Sequence, residues 1–411
     1  MKTWKKALGL VLALACLTIL SGGGLAESKS VMCDGVTLTG DPLKENVDYT
    51  FDKDTHLLTI KTAGDYTLSG TASSNDFRVR VGDSLVTTLT IDNLTINTNN
   101  GKYIDGYSPL DFSDAEATTL ILVGANQLTA RGNNPAVFAP WVDSGENNTT
   151  AIPLTIRGDG SLVANGGRSW PGIGNNGSAR ICIEGGDITA KGGGNAAGIG
   201  GSWGHWFDSI VITGGRVVAT GGAGANNDIG CGHGPGIDAG HGSGRDRTIS
   251  IVNGVVEARD IYNGKDKNGN DTLTHTGGTL IQDGNRTYMS DVTLDEKVTI
   301  SSGKTMKIGK NATVTIGENG GLKIENGAKL EIEDGAKLYV DGTVEGNITG
   351  AGKIYYKLNY NLNGGEWKKG YKPEDYYLSG TEFELPREEN LNKAGYTLSG
   401  WTEKGKKDVV Y

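Results

Sequence analysis

The chain has 411 residues, 66 of them glycine, and a formal net charge of −9. Glycine at this frequency without a Gly-X-Y period excludes collagen, while an apolar share of 36% is enough for a narrow hydrophobic core. The acidic balance argues against nucleic acid and anionic membrane surfaces as partners.

Residues 1–26 are typical of a secretory signal peptide. Three lysines among the first six residues precede an apolar run from Ala7 to Leu20, and Gly24-Leu25-Ala26 is a suitable cleavage site. The apolar run is about 14 residues long, which is too short for a membrane span. We therefore expect a secreted or cell-surface protein that does not insert into a membrane.

Residues 27–46 read as a polar leader, and a series of short strands is predicted from about Val47 onwards. A Gly, Asn or Asp follows each apolar stretch within four residues, so the turn signals recur too often for helices. The predicted strands are Leu57–Ile60, Tyr66–Leu68, Arg78–Val81, Thr88–Ile91, Leu94–Ile96 and Leu120–Val123.

The middle of the chain contains a loose internal repeat. The segment that begins at Ile181 is similar to the one that begins at Ile210, with an earlier copy from Leu154 and a later copy from Ile249. The first three copies are each followed by a predicted corner of one type: Gly172-Ile173-Gly174, Gly198-Ile199-Gly200 and Asp228-Ile229-Gly230. Their unequal spacing predicts coils of similar circumference with loops of variable length.

A strict eight-residue period follows. β-branched residues recur at Ile300, Ile308, Ile316, Ile324, Ile332, Val340 and Ile348, and a second apolar column precedes them by two residues at Val298, Met306, Val314, Leu322, Leu330 and Leu338. A helix is excluded, because a step of eight drifts by about 80° per repeat at about 3.6 residues per turn. Short strands that bury one face must stack on one another, and three of them make a coil of about 24 residues.

These patterns predict an all-β, right-handed parallel β-helix, or solenoid. We expect a part with variable loops over residues 47–290 and a regular part with the eight-residue period over residues 291–353. Such a rod needs no partner to complete its core, so a monomer is expected.

The end of the chain has a different pattern. Tyr360–Glu366, Gly380–Pro386 and Gly395-Tyr396-Thr-Leu-Ser-Gly-Trp401 together resemble the Listeria–Bacteroides repeat, also called the internalin B-type repeat. The resemblance covers most of residues 354–411 and implies a small β-grasp-like module of bacterial surface proteins. The family usually continues with a further strand, so we expect this copy to be truncated.

Residues 47–260 resemble bacterial extracellular carbohydrate-binding β-helices more loosely. The resemblance lies in Gly64–Gly70, Leu89–Ile96, Leu122–Leu128 and the Gly-Ile-Gly corners. It implies polysaccharide binding assisted by calcium.

Three tryptophans, Trp170, Trp203 and Trp206, lie beside the predicted corners. Because the turns of neighbouring coils stack, their rings could line one edge of the rod and offer flat faces to sugar rings. Asn175 and Asn176 lie nearby and could bond to sugar hydroxyls. The alternative is that each indole packs over the end of its own loop.

Asp266, Asn268 and Asp271 have the spacing of oxygen ligands in a calcium loop, which makes calcium the one cofactor suggested. The distal glutamate of an EF-hand is missing, and a hairpin loop with no metal explains the same residues. The mature chain keeps an odd, sparse set of cysteines, so no disulfide framework is expected.

Three functions remain open at this stage. The first is a non-catalytic, adhesin-like protein that binds polysaccharide or host glycan, and the second is a structural stalk without a ligand. The third is a polysaccharide lyase or hydrolase that would use Asp238, His241, Arg245 and Asp246. Glycine at every second or third position there favours a flexible loop, so we assign no catalytic residue.

Overall fold

The computed structural model describes residues 29–98, 107–141, 153–205, 207–231, 247–262, 270–348 and 352–402. Strands account for 48% of the described residues, and these ranges contain no α-helix. One short 3₁₀ helix spans Glu388–Asn390. The predicted all-β class is confirmed, with long sheets that are mostly parallel.

The strands fall into three groups along the chain. The first group is β1 (Lys29–Cys33), β2 (Val36–Gly40), β3 (Tyr49–Asp52), β4 (Leu57–Ile60), β5 (Gly64–Thr71), β6 (Arg78–Val81), β7 (Val86–Thr98), β8 (Leu110–Asp111), β9 (Ala117–Val123), β10 (Ala125–Ala130), β11 (Val137–Phe138), β12 (Leu154–Gly158), β13 (Ser161–Asn165), β14 (Ile173–Asn175), β15 (Arg180–Ile183), β16 (Asp187–Lys191), β17 (Ile199–Gly201), β18 (Ser209–Ile212), β19 (Arg216–Thr220), β20 (Ile229–Gly230), β21 (Thr248–Ile251), β22 (Val255–Ala258), β23 (Leu273–His275) and β24 (Thr279–Gln282). The second group is β25 (Asn285–Tyr288), β26 (Val292–Leu294), β27 (Lys297–Ile300), β28 (Thr305–Ile308), β29 (Thr313–Ile316), β30 (Gly321–Ile324), β31 (Lys329–Ile332), β32 (Lys337–Val340) and β33 (Thr343–Glu345). The last group is β34 (Lys353–Lys357), β35 (Glu366–Trp367), β36 (Tyr376–Leu378) and β37 (Leu391–Asn392).

The chain begins with an antiparallel hairpin where a polar leader was expected. Strands β1 and β2 pair with each other, and β2 pairs antiparallel with β5. Val36 and Leu38 point inward and are fully buried, while the threonines between them lie on the outer face. The alternation is short, but it lets the hairpin bury one face in the same core cluster as the strands that follow.

From β4 to β24 the strands form three ladders, and neighbouring strands within each ladder pair in parallel. Ladder 1 runs through β5, β7, β9, β12, β15, β18, β21 and β23. Ladder 2 starts at the end of β7 and runs through β10, β13, β16, β19, β22 and β24. Ladder 3 runs through β4, β6, β8, β11, β14, β17 and β20. We call residues 29–282 the N-terminal ladder region.

The internal repeat fixes the register of ladder 1. Leu154 pairs with Ile181, Ile181 with Ile210 and Ile210 with Ile249, and all four side chains are fully buried. Each buried aliphatic side chain contributes roughly 1.5–3 kcal/mol. The stacking expected for the repeat copies is therefore confirmed, and the core runs as columns along the ladders.

The Gly-Ile-Gly segments are paired strands of ladder 3, not corners. Ile173 pairs with Ile199, and Ile199 with Ile229, and all three are fully buried. The glycine after the second isoleucine, Gly200, has φ +127°, and a Cβ there would lie 2.2 Å from the carbonyl oxygen of Gly230. Only glycine allows neighbouring backbones to approach this closely.

A tight hairpin ends the N-terminal ladder region. Asp283 and Gly284 have φ of +48° and +77° and turn the chain from β24 into the antiparallel β25. Strand β25 then pairs in parallel with β28, so β28 runs in the direction of β25 and opposite to that of β24. We call residues 285–348 the C-terminal ladder region.

The eight-residue period produces a pairing offset of 24 residues, as predicted. Val298 pairs with Leu322 between β27 and β30, and the same offset joins β28 to β31 and β29 to β32. The buried side chains of this region form a core cluster separate from that of the N-terminal ladder region. The last strands continue this region: β34 pairs in parallel with β32, and the rings of Tyr339 and Tyr355 stack 4.8 Å apart.

Candidate functional site

The outer side of ladder 3 carries an aromatic surface. Strand β11 directs Val137 into the core, so the next residue, Phe138, points outward and is half-buried. Phe138 pairs with Asp111 on one side and Gly174 on the other. The coils beyond Phe138 therefore present glycine backbone, which leaves space for rings from the adjoining loops.

Two indoles pack around Phe138. The ring centroid of Trp170 lies 5.6 Å from that of Phe138 at an interplanar angle of 60°, and Trp141 lies 6.0 Å away at 54°. Trp170 is half-buried, whereas Trp141 is 44% exposed. Trp170 therefore packs on a ring from a neighbouring strand, and Trp141 keeps a free surface.

Trp203 comes from the next coil. It follows β17, its backbone N–H donates to the Ser169 carbonyl at 3.0 Å, and its side chain is 56% exposed. This bond places Trp203 beside the loop that carries Trp170. We call Phe138, Trp141, Trp170 and Trp203 the aromatic face. Trp206, also expected at this edge, lies outside the described residues.

The two predicted amides have different surroundings. Asn175 is fully buried: its Nδ2 donates to the Pro140 carbonyl at 3.0 Å, and its Oδ1 accepts from the backbone N–H groups of Gly177 and Ser178. It holds the turn after β14 and has no free edge for a sugar. Asn176 is half-buried and accepts a 2.9 Å hydrogen bond from the Ser202 hydroxyl, so only Asn176 stays near the surface beside Trp203.

Charge is distributed unevenly around the aromatic face. The backbone N–H of Trp141 donates to the Ser113 carbonyl. Nearby, the carboxylate of Asp111 lies 2.8 Å from the Arg80 guanidinium. Asp114 lies 3.9 Å from the same guanidinium. The acids at this end are therefore largely balanced by Arg80. The loop that carries Trp170 contributes the exposed Arg168 instead.

The predicted calcium loop is only partly described. Asp266 and Asn268 lie outside the described residues, and Asp271 is exposed just before β23. Within the described ranges no group of three or more His, Cys, Asp or Glu side chains could hold a metal ion. Asp238, His241, Arg245 and Asp246, the candidates for catalysis, also lie outside these ranges.

The cysteines of the described chain are free and buried. Burial raises the pKa of Cys33 to about 11 and that of Cys231 to about 12, and it also raises the pKa of Cys182. These thiols stay protonated at neutral pH and act as small apolar side chains. None of the described helices is long and apolar enough to span a membrane.

Sequence reasoning missed Phe138, whose ring lies between those of Trp141 and Trp170. Its signal was the Val-Phe pair before Ala139-Pro140-Trp141, which is too short to identify as a strand by alternation. Comparison with known proteins adds nothing to the assignment: no family model, no curated protein and no solved structure matches this chain.

Proposed function

We propose that this chain is a secreted or cell-surface polysaccharide-binding protein without catalytic activity, built on a right-handed parallel β-helix. The aromatic face is the observation that carries the proposal. Trp141 and Trp203 each expose about half of a large apolar ring, and they belong to loops of the same ladder. Exposed indoles of this kind stack on sugar rings and donate from their N–H to hydroxyls.

The three parallel ladders support the β-helix. A chain that visits ladder 1, ladder 2 and ladder 3 in turn and then returns one strand further on forms a coil. Nearly all parallel crossover connections are right-handed, which gives the proposed hand. Coils about 4.8 Å apart would keep the loops of the aromatic face in fixed order along the rod.

The ring angles define the kind of surface. Because Trp141 and Trp170 are tilted by 54° and 60° against Phe138, the aromatic face is corrugated and not one flat platform. It suits a chain of sugars whose successive rings also change orientation. Asn176, which is half-buried and accepts from the buried Ser202 hydroxyl, lies at its border and supplies a polar contact.

A glycan array tests the proposal. The wild-type protein should bind one class of polysaccharide, and a Trp141→Ala/Trp203→Ala variant should lose at least about tenfold in affinity, since a stacked ring contributes about 1–2 kcal/mol. Tyr396→Ala is the matched control, because Tyr396 is an aromatic side chain 71% exposed in another part of the chain. Equal binding by the wild type and the double variant contradicts the assigned site.

The array also separates the remaining proposals. A chelator arm tests calcium: binding that disappears in EGTA and returns with Ca²⁺ supports assistance by the loop of Asp266, Asn268 and Asp271. Release of unsaturated or reducing sugars from pectin-like polymers would identify an enzyme instead.

A structural stalk is the second candidate. The 24-residue offset shared by the pairs from β27 to β32 favours it for the C-terminal ladder region, where the coils leave no length for binding loops. The tyrosine-rich residues 352–402 would then be a Listeria–Bacteroides-type module at the end of the stalk. A wild-type protein that binds no glycan at all supports this function.

A further inference from the structure

Five of the described arginines contact carboxylates. They range from the nearly buried Arg180 with Asp208 to exposed pairs on the outer faces: Arg80, Arg180, Arg216, Arg259 and Arg387. Other described arginines are exposed and form no ion pair with a described residue.

Arg131 and Arg168 are such arginines, and they lie at the aromatic face. Both side chains are exposed, and neither forms an ion pair with any residue that the structure describes. The backbone N–H of Arg168 donates to the Gly132 carbonyl at 2.7 Å, so the two arginines occupy neighbouring coils. Strand spacing separates such coils by about 5 Å.

The position of Arg168 ties this pair to the exposed rings. Arg168 is two residues before Trp170, and the following residue, Ser169, accepts the hydrogen bond from Trp203. The carbonyl of Lys191, whose side chain is exposed, accepts from Gly166 at 2.8 Å at the start of this loop. Backbone hydrogen bonds thus join the loop that carries Arg168 and Trp170 to the segments of Arg131 and Lys191.

We infer that the aromatic face takes an anionic glycan, whose carboxylate or sulfate groups are bound directly by Arg131 and Arg168 while its sugar rings stack on the indoles. This inference rests on the proposed function and names the ligand class of the same site. A guanidinium presents paired N–H donors that match two oxygens of a carboxylate or sulfate. The net charge of −9 opposes polyanions over the protein as a whole, whereas arginines without acidic partners at this site attract acidic chains locally and favour them over neutral ones.

Two matched pairs of polymers test the inference, all in EDTA so that calcium cannot bridge. Polygalacturonate is compared with its carboxyl-reduced neutral form, and dextran sulfate with dextran, by calorimetric titration. The wild type should bind at least one charged polymer about tenfold or more tightly than its neutral parent. Which charged polymer shows the difference distinguishes carboxylate from sulfate.

The variants locate the effect. Arg131→Gln/Arg168→Gln should remove most of the preference for the charged polymer and leave the affinity for the neutral parent unchanged. Arg157→Gln is the control, because Arg157 is an exposed arginine on ladder 1 that also forms no ion pair with a described residue. An equal loss in the control would indicate a general charge effect and overturn the inference.

The remaining outcomes separate the two levels of the argument. Equal affinity for charged and neutral polymers overturns the inference and leaves the proposed function standing. Binding to none of the four polymers and to no array glycan overturns both. Thermal unfolding of the double variant excludes a folding defect. The charge reversal Arg131→Glu/Arg168→Glu should abolish the preference completely.

Discussion

The two ladder regions bury similar columns of aliphatic side chains but differ in the number of residues that separate paired strands. In the N-terminal ladder region Leu120 pairs with Ile156, 36 residues further on, and Ile156 pairs with Ile183 after only 27. In the C-terminal ladder region the offset is 24 residues at Val298 and Leu322. The core constrains the strands, whereas loop length is free wherever a coil meets solvent. The region that varies its loops is the one that carries the aromatic face.

Glycine has different roles in the two regions. In ladder 3 the glycine backbones of successive coils pass so closely that no Cβ fits, as at Gly200. In the C-terminal ladder region glycines such as Gly303 occupy turns, with φ +77° and no heavy atom within 4 Å of a Cβ placed there. Close approach constrains the first kind, and backbone conformation alone constrains the second.

The largest expected effect comes from this difference. Gly200→Ala should destabilise the protein by about 4 kcal/mol or more, because the methyl group collides with the Gly230 carbonyl at a positive φ. Gly303→Ala, the matched control, should cost only about 1–2 kcal/mol of left-handed strain. Chemical denaturation of both variants measures this; similar losses would show that ladder 3 tolerates separation of its coils.

Truncation of the two cores should have the next largest effect. Ile183→Ala and Ile316→Ala each remove a fully buried side chain and should cost about 2–5 kcal/mol. Because the cores are separate clusters, Ile183→Ala should increase hydrogen exchange in the N-terminal ladder region and Ile316→Ala in the C-terminal one. Exchange that rises equally across both regions in either variant would show a single cooperative unit.

The sequence predicted the C-terminal ladder region best, because a fixed period leaves one possible register. The column from Ile300 to Val340 is buried and pairs at the expected offset. In the N-terminal ladder region the offset varies, so only the copies that begin at Leu154, Ile181, Ile210 and Ile249 revealed their pairing. Strands of two or three residues, such as Val137–Phe138, carry no alternation and were not predicted.

Site residues were harder to predict, since a side chain's role depends on which way its backbone turns. Asn175 and Asn176 are adjacent, yet one is buried as a turn support and the other remains near the surface. Likewise, Trp170 packs on Phe138 while Trp203 is exposed. The unpaired state of Arg168 depends on contacts between coils, which no sequence pattern shows.

Between pH 7.5 and pH 5, acid should weaken the N-terminal ladder region and not the C-terminal one. His275 ends the inward column of ladder 1 after Ile251, and burial lowers its pKa. The unfolded chain therefore takes up the proton more readily, and stability should fall as the pH drops from the unfolded pKa of about 6.5 towards the lower folded value. The C-terminal ladder region contains no histidine. Hydrogen exchange near β23, measured at pH 7.5 and at pH 5 and corrected for the intrinsic rate at each pH, should show less protection at pH 5. His275→Gln should remove this pH dependence.

The smallest expected effect concerns the ion pairs on the outer side of the C-terminal ladder region. Lys307 Nζ lies 2.6 Å from Glu333 Oε1 on the next coil, and both side chains are more than one-third exposed. The hydrogen bond from Lys307 lowers the pKa of Glu333, so the attraction should persist through the usual glutamate range and vanish as the pH falls through that lowered pKa. Because water screens the pair, Glu333→Gln should cost only about 0.5 kcal/mol and less in 1 M salt. A loss as large as that of Ile316→Ala would mean that charge pairing, and not the apolar columns, holds successive coils of this region together.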